Sequence, residues 1–151
     1  MHGGAQFMKE KKNLLISLSK LSKMYRAEVK TEMSDSDFSP NELDLITFLS
    51  NNEMDTSKEI ADSLGLSKSL IARSVDSLVA KGFLETRVDE TDRRYIHLAL
   101  TDQAKPIAER LRNRRKQFIA SMTEGISQEQ FAQFEWALEK MIANVERKKE
   151  E

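Results

Sequence analysis

Three helix-start signals follow one another in the first half of this 151-residue chain. The stretch "SPNE" at 39–42 offers an N-cap serine, a proline at the first helical position and a glutamate three residues after the cap. Thr56 and Glu59 repeat the cap-to-glutamate spacing. Gly65 is placed to end that second helix, and Ser67 offers the next cap. The sequence therefore predicts three short helices in close succession, which limits the folds open to the chain.

The third of these helices, "KSLIARSVDSLVAK" at 68–81, has two faces of different chemistry. Ile71, Val75 and Leu78 recur at helical spacing and predict a buried stripe. The other face is small and polar, with Ser69, Ala72, Arg73, Asp76 and Ser77. Two short helices joined by a glycine-containing turn are typical of a helix-turn-helix. A helix with a small polar face is one that a major groove can admit.

Two segments after the third helix alternate between apolar and polar residues. They are "FLETRV" at 83–88 and "YIHLAL" at 95–100, and they flank the polar turn "DETDRR". Together they predict a β-hairpin directly after the helix-turn-helix. The predicted fold is mainly α with a small β-hairpin wing: a winged helix-turn-helix over residues 39–101.

Helices with apolar stripes are also predicted at both ends, over residues 9–33 and 102–148. The first stripe comprises Leu14, Leu18, Leu21, Tyr25 and Val29, and the last comprises Phe131, Phe134, Leu138, Met141 or Ile142, and Val145. Thr101 is placed to cap the helix from 102, and Pro106 predicts a kink or a late start there. The stripes need burial, either against the winged helix or against a second copy. We prefer the second copy, which makes these segments dimerisation helices.

The composition excludes several classes of function. Lysine and arginine number 24 against 25 acidic residues, so any binding of nucleic acid needs a local surface. The chain has no cysteine, which excludes disulfides and thiol chemistry, and its two histidines argue against a metal site. It has no phosphate-binding glycine loop, and we expect neither an enzyme nor a cofactor.

Two expectations concern the cellular setting and the start of the chain. No apolar run approaches the ~20 residues of a membrane span, and no signal peptide is evident. We therefore expect a cytoplasmic protein with no membrane partner. The opening "MHGGAQF" differs in character from the sequence after it. We expect residues 1–8 to be an added leader or disordered.

The hairpin carries a motif that resembles the MarR family of bacterial transcription regulators. Asp92, Arg94, Leu98, Leu100 and Thr101 have the spacing of that family's D-x-R-x-x-x-L-x-L-T pattern. The stretch "SKSLIARSVDSLVAKGFL" resembles the family's recognition helix, and "TSKEIADSLGLS" resembles the helix before it. The resemblance covers the chain from about residue 9, in the family's order of helices.

This resemblance implies a sequence-specific transcriptional regulator, with repression the expected mode. It would bind a palindromic operator in double-stranded DNA as a homodimer, with the third helix in the major groove and the wing in the minor groove. The implied DNA-binding residues are Ser67, Lys68, Ser69, Arg73, Ser77, Arg93 and Arg94. Asp92 would position the wing by accepting hydrogen bonds from backbone or arginine groups.

The resemblance also implies modulation by a small ligand, for which we expect an aromatic compound. The ligand-binding residues are unknown from the sequence. The expected location is the crevice where the first and fifth helices meet the winged helix. Met24, Tyr25, Ile46 and Phe48 are candidates there and equally candidates for plain core.

Several side chains have simpler interpretations beside the functional ones. Arg73 can read a base, contact a phosphate or only pair with Asp76 one turn away. Ser67 is a helix cap, to which a phosphate contact would be an addition. His97 is expected to be an exposed bystander, and "RNRRK" at 112–116 a solvated helix face or a weak phosphate contact. The alternative function is a protein-interaction module, which the Ser, Ala and Arg content of the third helix disfavours.

Overall fold

A computed structural model describes residues 3–51 and 55–150, with side chains from residue 13 onward in those ranges. Its elements are α1 (Gly3–Glu32), α2 (Pro40–Asn51), α3 (Ser57–Leu64), α4 (Lys68–Ala80), β1 (Leu84–Val88), β2 (Ile96–Leu100), a 3₁₀ turn (Asp102–Ala104), α5 (Lys105–Met122) and α6 (Gln128–Glu150). The predicted class, mainly helical with one hairpin, is confirmed. The chain forms two compact units that divide between Arg115 and Lys116.

The three predicted helix starts are confirmed by their hydrogen bonds. At the first, the Ser39 amide donates to the Glu42 carboxylate at 2.7 Å and the Glu42 amide donates to the Ser39 hydroxyl at 3.2 Å. Thr56 and Glu59 form the same reciprocal capping box. The Ser67 hydroxyl caps α4 by accepting the amide of the third residue of the helix at 3.2 Å. These local contacts satisfy amides that would otherwise lack partners at each helix start.

The core of the first unit is built on the predicted stripe of α4. Ile71, Val75 and Leu78 are buried there. Apolar residues from the surrounding elements pack with them: Val29, Met33, Leu43, Leu45, Ile46, Ile60, Ala61, Leu84, Leu98, Ala108 and Leu111. Because this stripe faces the core, the small polar side of α4 is turned to solvent.

The hairpin is antiparallel, and its strands end within one residue of the predicted segments. Leu84 pairs with Leu100, and Val88 pairs with Ile96 at the turn end. Leu84 and Leu98 are 2% exposed and anchor the hairpin in the core. The turn end therefore extends from a fixed base.

The structure corrects some of the predicted boundaries. Helix α1 begins at Gly3, earlier than the predicted residue 9, and residues 1 and 2 lie outside the described residues. Helix α6 continues to Glu150, past the predicted end near 148. Helix α5 begins at Lys105, so Pro106 lies in its first turn, where a proline removes no hydrogen bond. The predicted late start is confirmed.

The predicted capping role of Thr101 is wrong. Its side chain makes no capping hydrogen bond to the 3₁₀ turn that follows. The hydroxyl instead donates to the Gly82 carbonyl oxygen at 2.7 Å. Thr101 thereby ties the end of β2 to the segment between α4 and β1, which closes the base of the hairpin.

Helix α6 in the second unit starts as predicted and leaves its apolar stripe exposed. Ser127 and Gln130 form reciprocal bonds of 3.0 and 3.1 Å at its start. Phe134, Ile142 and Val145 are 45%, 51% and 59% exposed, and the helix has no buried residue. Among the described residues, no helix combines the length and apolar character that crossing a membrane requires.

Candidate nucleic-acid interface

The outer face of α4 is exposed along its length. Ser69, Ala72, Arg73 and Asp76 are all exposed to solvent. Within the described residues, Arg73 makes no ion pair with Asp76 or with any other side chain. The simplest interpretation of Arg73, a helix-surface ion pair, is therefore not observed. Its guanidinium is available to a partner outside the chain.

The start of α4 presents hydroxyl and ammonium groups. Ser67, Lys68 and Ser69 are exposed, and the Ser67 and Ser69 hydroxyls lie 3.1 Å apart. Lys68 also lines a crevice of about 560 Å³ between the helices and the wing, together with Lys58 and Arg94. Three cations and one carboxylate, that of Asp76, thus border one opening, so the crevice has an excess of positive charge although the whole chain has a net charge of −1.

Asp89 organises the wing turn, and the sequence analysis did not identify it. Its Oδ1 atom accepts hydrogen bonds from the Thr91 amide at 2.8 Å, the Thr91 hydroxyl at 2.7 Å and the Asp92 amide at 2.9 Å. Hydrogen bonds from His97, Thr91 and Asp92 hold the pKa of the Asp89 carboxyl far below its usual range. The signal available in the sequence was an aspartate at the start of a polar turn, a residue type that often bonds the backbone two residues on.

Asp92 makes the contacts that were expected of it. It accepts the Arg94 amide at 3.0 Å, Arg94 Nε at 3.0 Å and Arg94 Nη2 at 2.7 Å. These bonds from Arg94 lower the pKa of the Asp92 carboxyl, which stays ionised. The Arg94 side chain is nevertheless 86% exposed, and its Nη1 has no partner in the described part of the chain. The arginine is thus held by one edge and presents the other.

His97 is not the exposed bystander that the sequence predicted. Its ring nitrogens lie 2.7 Å from Asp55 Oδ1 and 2.8 Å from Asp89 Oδ2, and only 23% of its side chain is exposed. The carboxylates of Asp89 and Asp55 raise the pKa of the His97 imidazole. The prediction failed because Asp55 lies far away along the chain and meets β2 only in the folded structure.

Ser77 differs from the other predicted contact residues because it faces α2. Its hydroxyl bonds the carboxylate of Glu42, which is 3% exposed and also pairs with Lys81 at 3.1 Å. Burial raises the pKa of Glu42, but hydrogen bonds from Ser77, the Ser39 amide and Lys81 outweigh it, and the net shift is downward. The half-buried Ser77 therefore contributes to the seating of α4 on α2.

The basic run at 112–116 is only in part a solvated face. Arg114 pairs with Glu32 at 2.9 Å, and Arg115 Nη2 donates to Asn51 Oδ1 at 2.6 Å. These contacts fasten α5 to the ends of α1 and α2. The expectation of a solvated face is wrong for these two arginines.

A cavity of about 600 Å³ lies between α1 and the start of α2. Its walls include Tyr25, Arg26, Val29, Lys30, Met33, Phe38, Leu43, Asp44 and Thr47. The predicted crevice is thus present where α1 meets the winged helix, but α5 is not among its lining elements. Of the four candidate residues only Tyr25 lines it, and Ile46 is fully buried core.

These elements define a winged helix-turn-helix, in which α3 and α4 form the helix-turn-helix and the β1–β2 hairpin forms the wing. Residues 36–94 match the model of the MarR family. Over this segment, which is less than half of the chain, the sequence is similar to MarR regulators. The solved structures that share the fold include MarR regulators.

Individual proteins are similar to part or most of the chain. The chain is 42% identical over 64 residues to the transcriptional regulator AdcR of Streptococcus pneumoniae serotype 2 (strain D39), a match that covers 42% of this chain and 44% of that protein. The part of this chain that matches therefore spans less than half the length of that relative. Over longer stretches, a MarR protein from Peptoclostridium difficile DA00132 aligns with a TM-score of 0.77 at 20% identity, covering 90% of this chain and 89% of that one. The S. aureus MepR–DNA complex aligns with a TM-score of 0.71 at 16% identity, covering 87% and 97%.

Proposed function

We propose that the chain is a sequence-specific DNA-binding transcriptional regulator that binds a palindromic operator as a homodimer, with repression as its mode. The observation that carries the proposal is the pair of exposed arginines, Arg73 on α4 and Arg94 at the wing tip. Each has donors without partners among the described residues. A similar fold is known in complex with DNA, in the S. aureus MepR structure.

The two arginines have separate roles in this proposal. Arg73 lies in the middle of the exposed face of α4, where a planar fork of donors can pair with the acceptors of a guanine edge in the major groove. Arg94 presents its Nη1 edge from the turn end of the two-stranded hairpin, and the negative potential of a minor groove attracts a guanidinium. The remaining predicted residues contact phosphates and set the register: Ser67, Lys68, Ser69 and Arg93.

The test of this function is selection of bound sites from random duplex DNA, followed by affinity measurements over a range of salt concentrations. We expect a two-fold symmetric consensus. We also expect the logarithm of the affinity to fall linearly with that of the salt concentration, by about 0.9 for each phosphate contacted. Failure to enrich any sequence, with no retention at low salt, would refute DNA binding and favour the protein-interaction module. An enriched site without two-fold symmetry would refute the palindrome.

The homodimer is proposed from the apolar side chains that the terminal helices expose. On α1, Leu15, Ile16 and Met24 are 73%, 69% and 51% exposed, and α6 exposes a stripe of its own. Contiguous exposed apolar surface on a folded chain marks an interaction surface. A second copy is the natural partner because a two-fold interface buries the same patch on both chains. The resulting pair of α4 helices would match a palindromic site.

A small aromatic acid is the proposed ligand of the α1–α2 cavity. The volume of about 600 Å³ lies in the range of small-molecule sites. Tyr25, Val29 and Phe38 give apolar walls for a ring, and Lys30 gives a cation for a carboxylate. Arg26 also lines the cavity, where its guanidinium pairs with Asp44. A preference of ~10-fold per site for the form that does not bind DNA shifts the equilibrium by about 2.7 kcal/mol across two sites. That shift is enough to dissociate the protein from most of its operator sites.

We expect at least one compound from a panel of small aromatic acids to lower the affinity for the selected duplex. Thr47→Phe should remove this response by filling the cavity, while Thr47→Val, which keeps the side-chain volume, should retain it. DNA affinity without the compound should be similar in both variants. A compound that acts equally on the parent and on Thr47→Phe would contradict the assignment of the cavity.

A further inference from the structure

His97 connects the wing turn to the helix-turn-helix. Its ring bonds Asp89 in the turn on one side and Asp55, just before α3, on the other, at 2.8 and 2.7 Å. A carboxylate only accepts hydrogen bonds, and a neutral imidazole has a single N–H. Both bonds can therefore be made together only by the protonated ring. The observed geometry is that of an imidazolium between two carboxylates.

The hydrogen bonds that join Asp55, His97 and Asp89, here called the His97 bridge, continue to the arginine at the wing tip. Asp89 holds His97 through Oδ2 and holds the amides of Thr91 and Asp92 through Oδ1. Asp92 in turn holds the backbone and the guanidinium of Arg94. One connected set of hydrogen bonds thus extends from the segment before α3 to the exposed arginine.

The backbone reinforces the docking of β2 at the same place. The Leu98 amide donates to the Asp55 carbonyl oxygen at 2.8 Å, and Thr56 forms an isolated β-bridge with His97. Thr56 is also the capping residue of α3. The His97 side chain therefore lies where the wing is joined to a helix of the DNA-binding module, and not on an independent surface.

We propose that protonated His97 is a positioning residue for DNA binding: it fixes the wing turn against the segment before α3, and deprotonation weakens the hold on Arg94. The proposal rests on the proposed function, because Arg94 is the group that the bridge positions. It predicts that operator affinity falls as the pH rises through the titration of His97.

The charges around the ring determine the direction of this dependence. Asp89 and Asp55 face the imidazole directly, while Arg87 on β1, the register partner of His97, acts against protonation. The hydrogen bonds to the two carboxylates outweigh the opposing effects, so the pKa of His97 is raised above its usual value of 6.5. The His97 bridge is therefore fully formed at a pH below the usual histidine pKa, and it is lost as the pH rises through the raised pKa of His97.

The first measurement is the titration of the ring itself, followed by NMR of the imidazole nitrogens. The chain has only one other histidine, His2, so a His2→Asn variant leaves a single ring to observe. We expect the pKa of His97 to lie above that of an ordinary histidine. Asp89→Asn should lower it, because the substitution removes the largest cause of the shift. A His97 ring that titrates at or below the ordinary value would overturn the proposal.

The second measurement is affinity for the selected duplex at fixed ionic strength, from about pH 5.5 to 8.5, the interval in which histidine changes charge. The parent should lose affinity by about 3- to 10-fold across this interval, because deprotonation weakens the hold on Arg94 without removing its charge. His97→Gln, which can bond only weakly to both carboxylates, should bind at every pH like the parent at high pH. Thermal melting of the variant checks that it is folded.

The outcomes separate this inference from the proposed function. Specific DNA binding whose pH dependence is the same in the parent and in His97→Gln would overturn the inference and leave the function standing. A parental affinity that does not change with pH would also overturn the inference and leave the proposed function standing. Absence of specific DNA binding at every pH would refute the proposed function, and the role of His97 with it.

Discussion

Replacing Arg94 with alanine is expected to weaken binding to the selected operator by about 1–3 kcal/mol, or about 5- to 150-fold in Kd. The guanidinium is 86% exposed and is held by Asp92 along its Nε edge, so its other edge is placed for a narrow groove before DNA arrives. Removing one DNA-contacting cation should also flatten the salt dependence by about one unit. Fluorescence anisotropy at several salt concentrations measures both effects.

Two variants show whether the loss comes from the shape of the arginine or only from its charge. Arg94→Lys keeps the charge but lacks the planar fork that Asp92 holds, so we expect an intermediate loss with the parental salt dependence. Arg147→Ala removes the same charge from α6, outside the winged helix, and should bind like the parent. Folding should not change in any of them, because the exposed Arg94 buries little surface. Parental affinity of Arg94→Ala at every salt concentration would contradict the assignment of the wing.

The sequence predicted the winged helix well because its determinants are local. A capping box needs only residues within one turn, as at Ser39 and Thr56, and the structure has the predicted helix starts. The apolar periodicity of α4 placed Ile71 and Leu78 in the core for the same reason. The alternation in the wing likewise located both strands to within one residue.

The parts of the candidate site that the sequence did not reveal depend on contacts between distant segments. Nothing near His97 in the sequence points to Asp55, which lies 42 positions away. The same holds for Ser77 and Glu42, which meet only because α4 packs on α2. Thr101 was a plausible cap by type and place, but the Gly82 carbonyl competes for its hydroxyl once the hairpin closes. The motif spacing identified Arg94 and Asp92, and the structure adds Asp89 as the residue that shapes their turn.

The largest effect of all is expected from a charge placed in the apolar stripe of α6. In Ile142→Asp a side chain that is 51% exposed in the single chain becomes a carboxylate. If the stripe packs against a second copy, burying that group without a partner costs at least about 2 kcal/mol per chain. Two-fold symmetry applies the cost twice, so the dimer dissociation constant should rise by at least about 10³-fold. Light scattering at micromolar concentration should then give a monomer, where the parent gives a dimer.

Ala143→Asp is the matched control, since it adds the same charge to the same helix. A helix turns by about 100° per residue, which places position 143 away from the stripe formed by Phe134, Ile142 and Val145. This variant should remain a dimer and keep the parental operator affinity. Ile142→Asp should instead lose most of that affinity, because two half-sites can no longer be held by one particle. A parent that is monomeric at micromolar concentration, or an Ile142→Asp variant that stays a dimer, would rule out an interface built on this stripe.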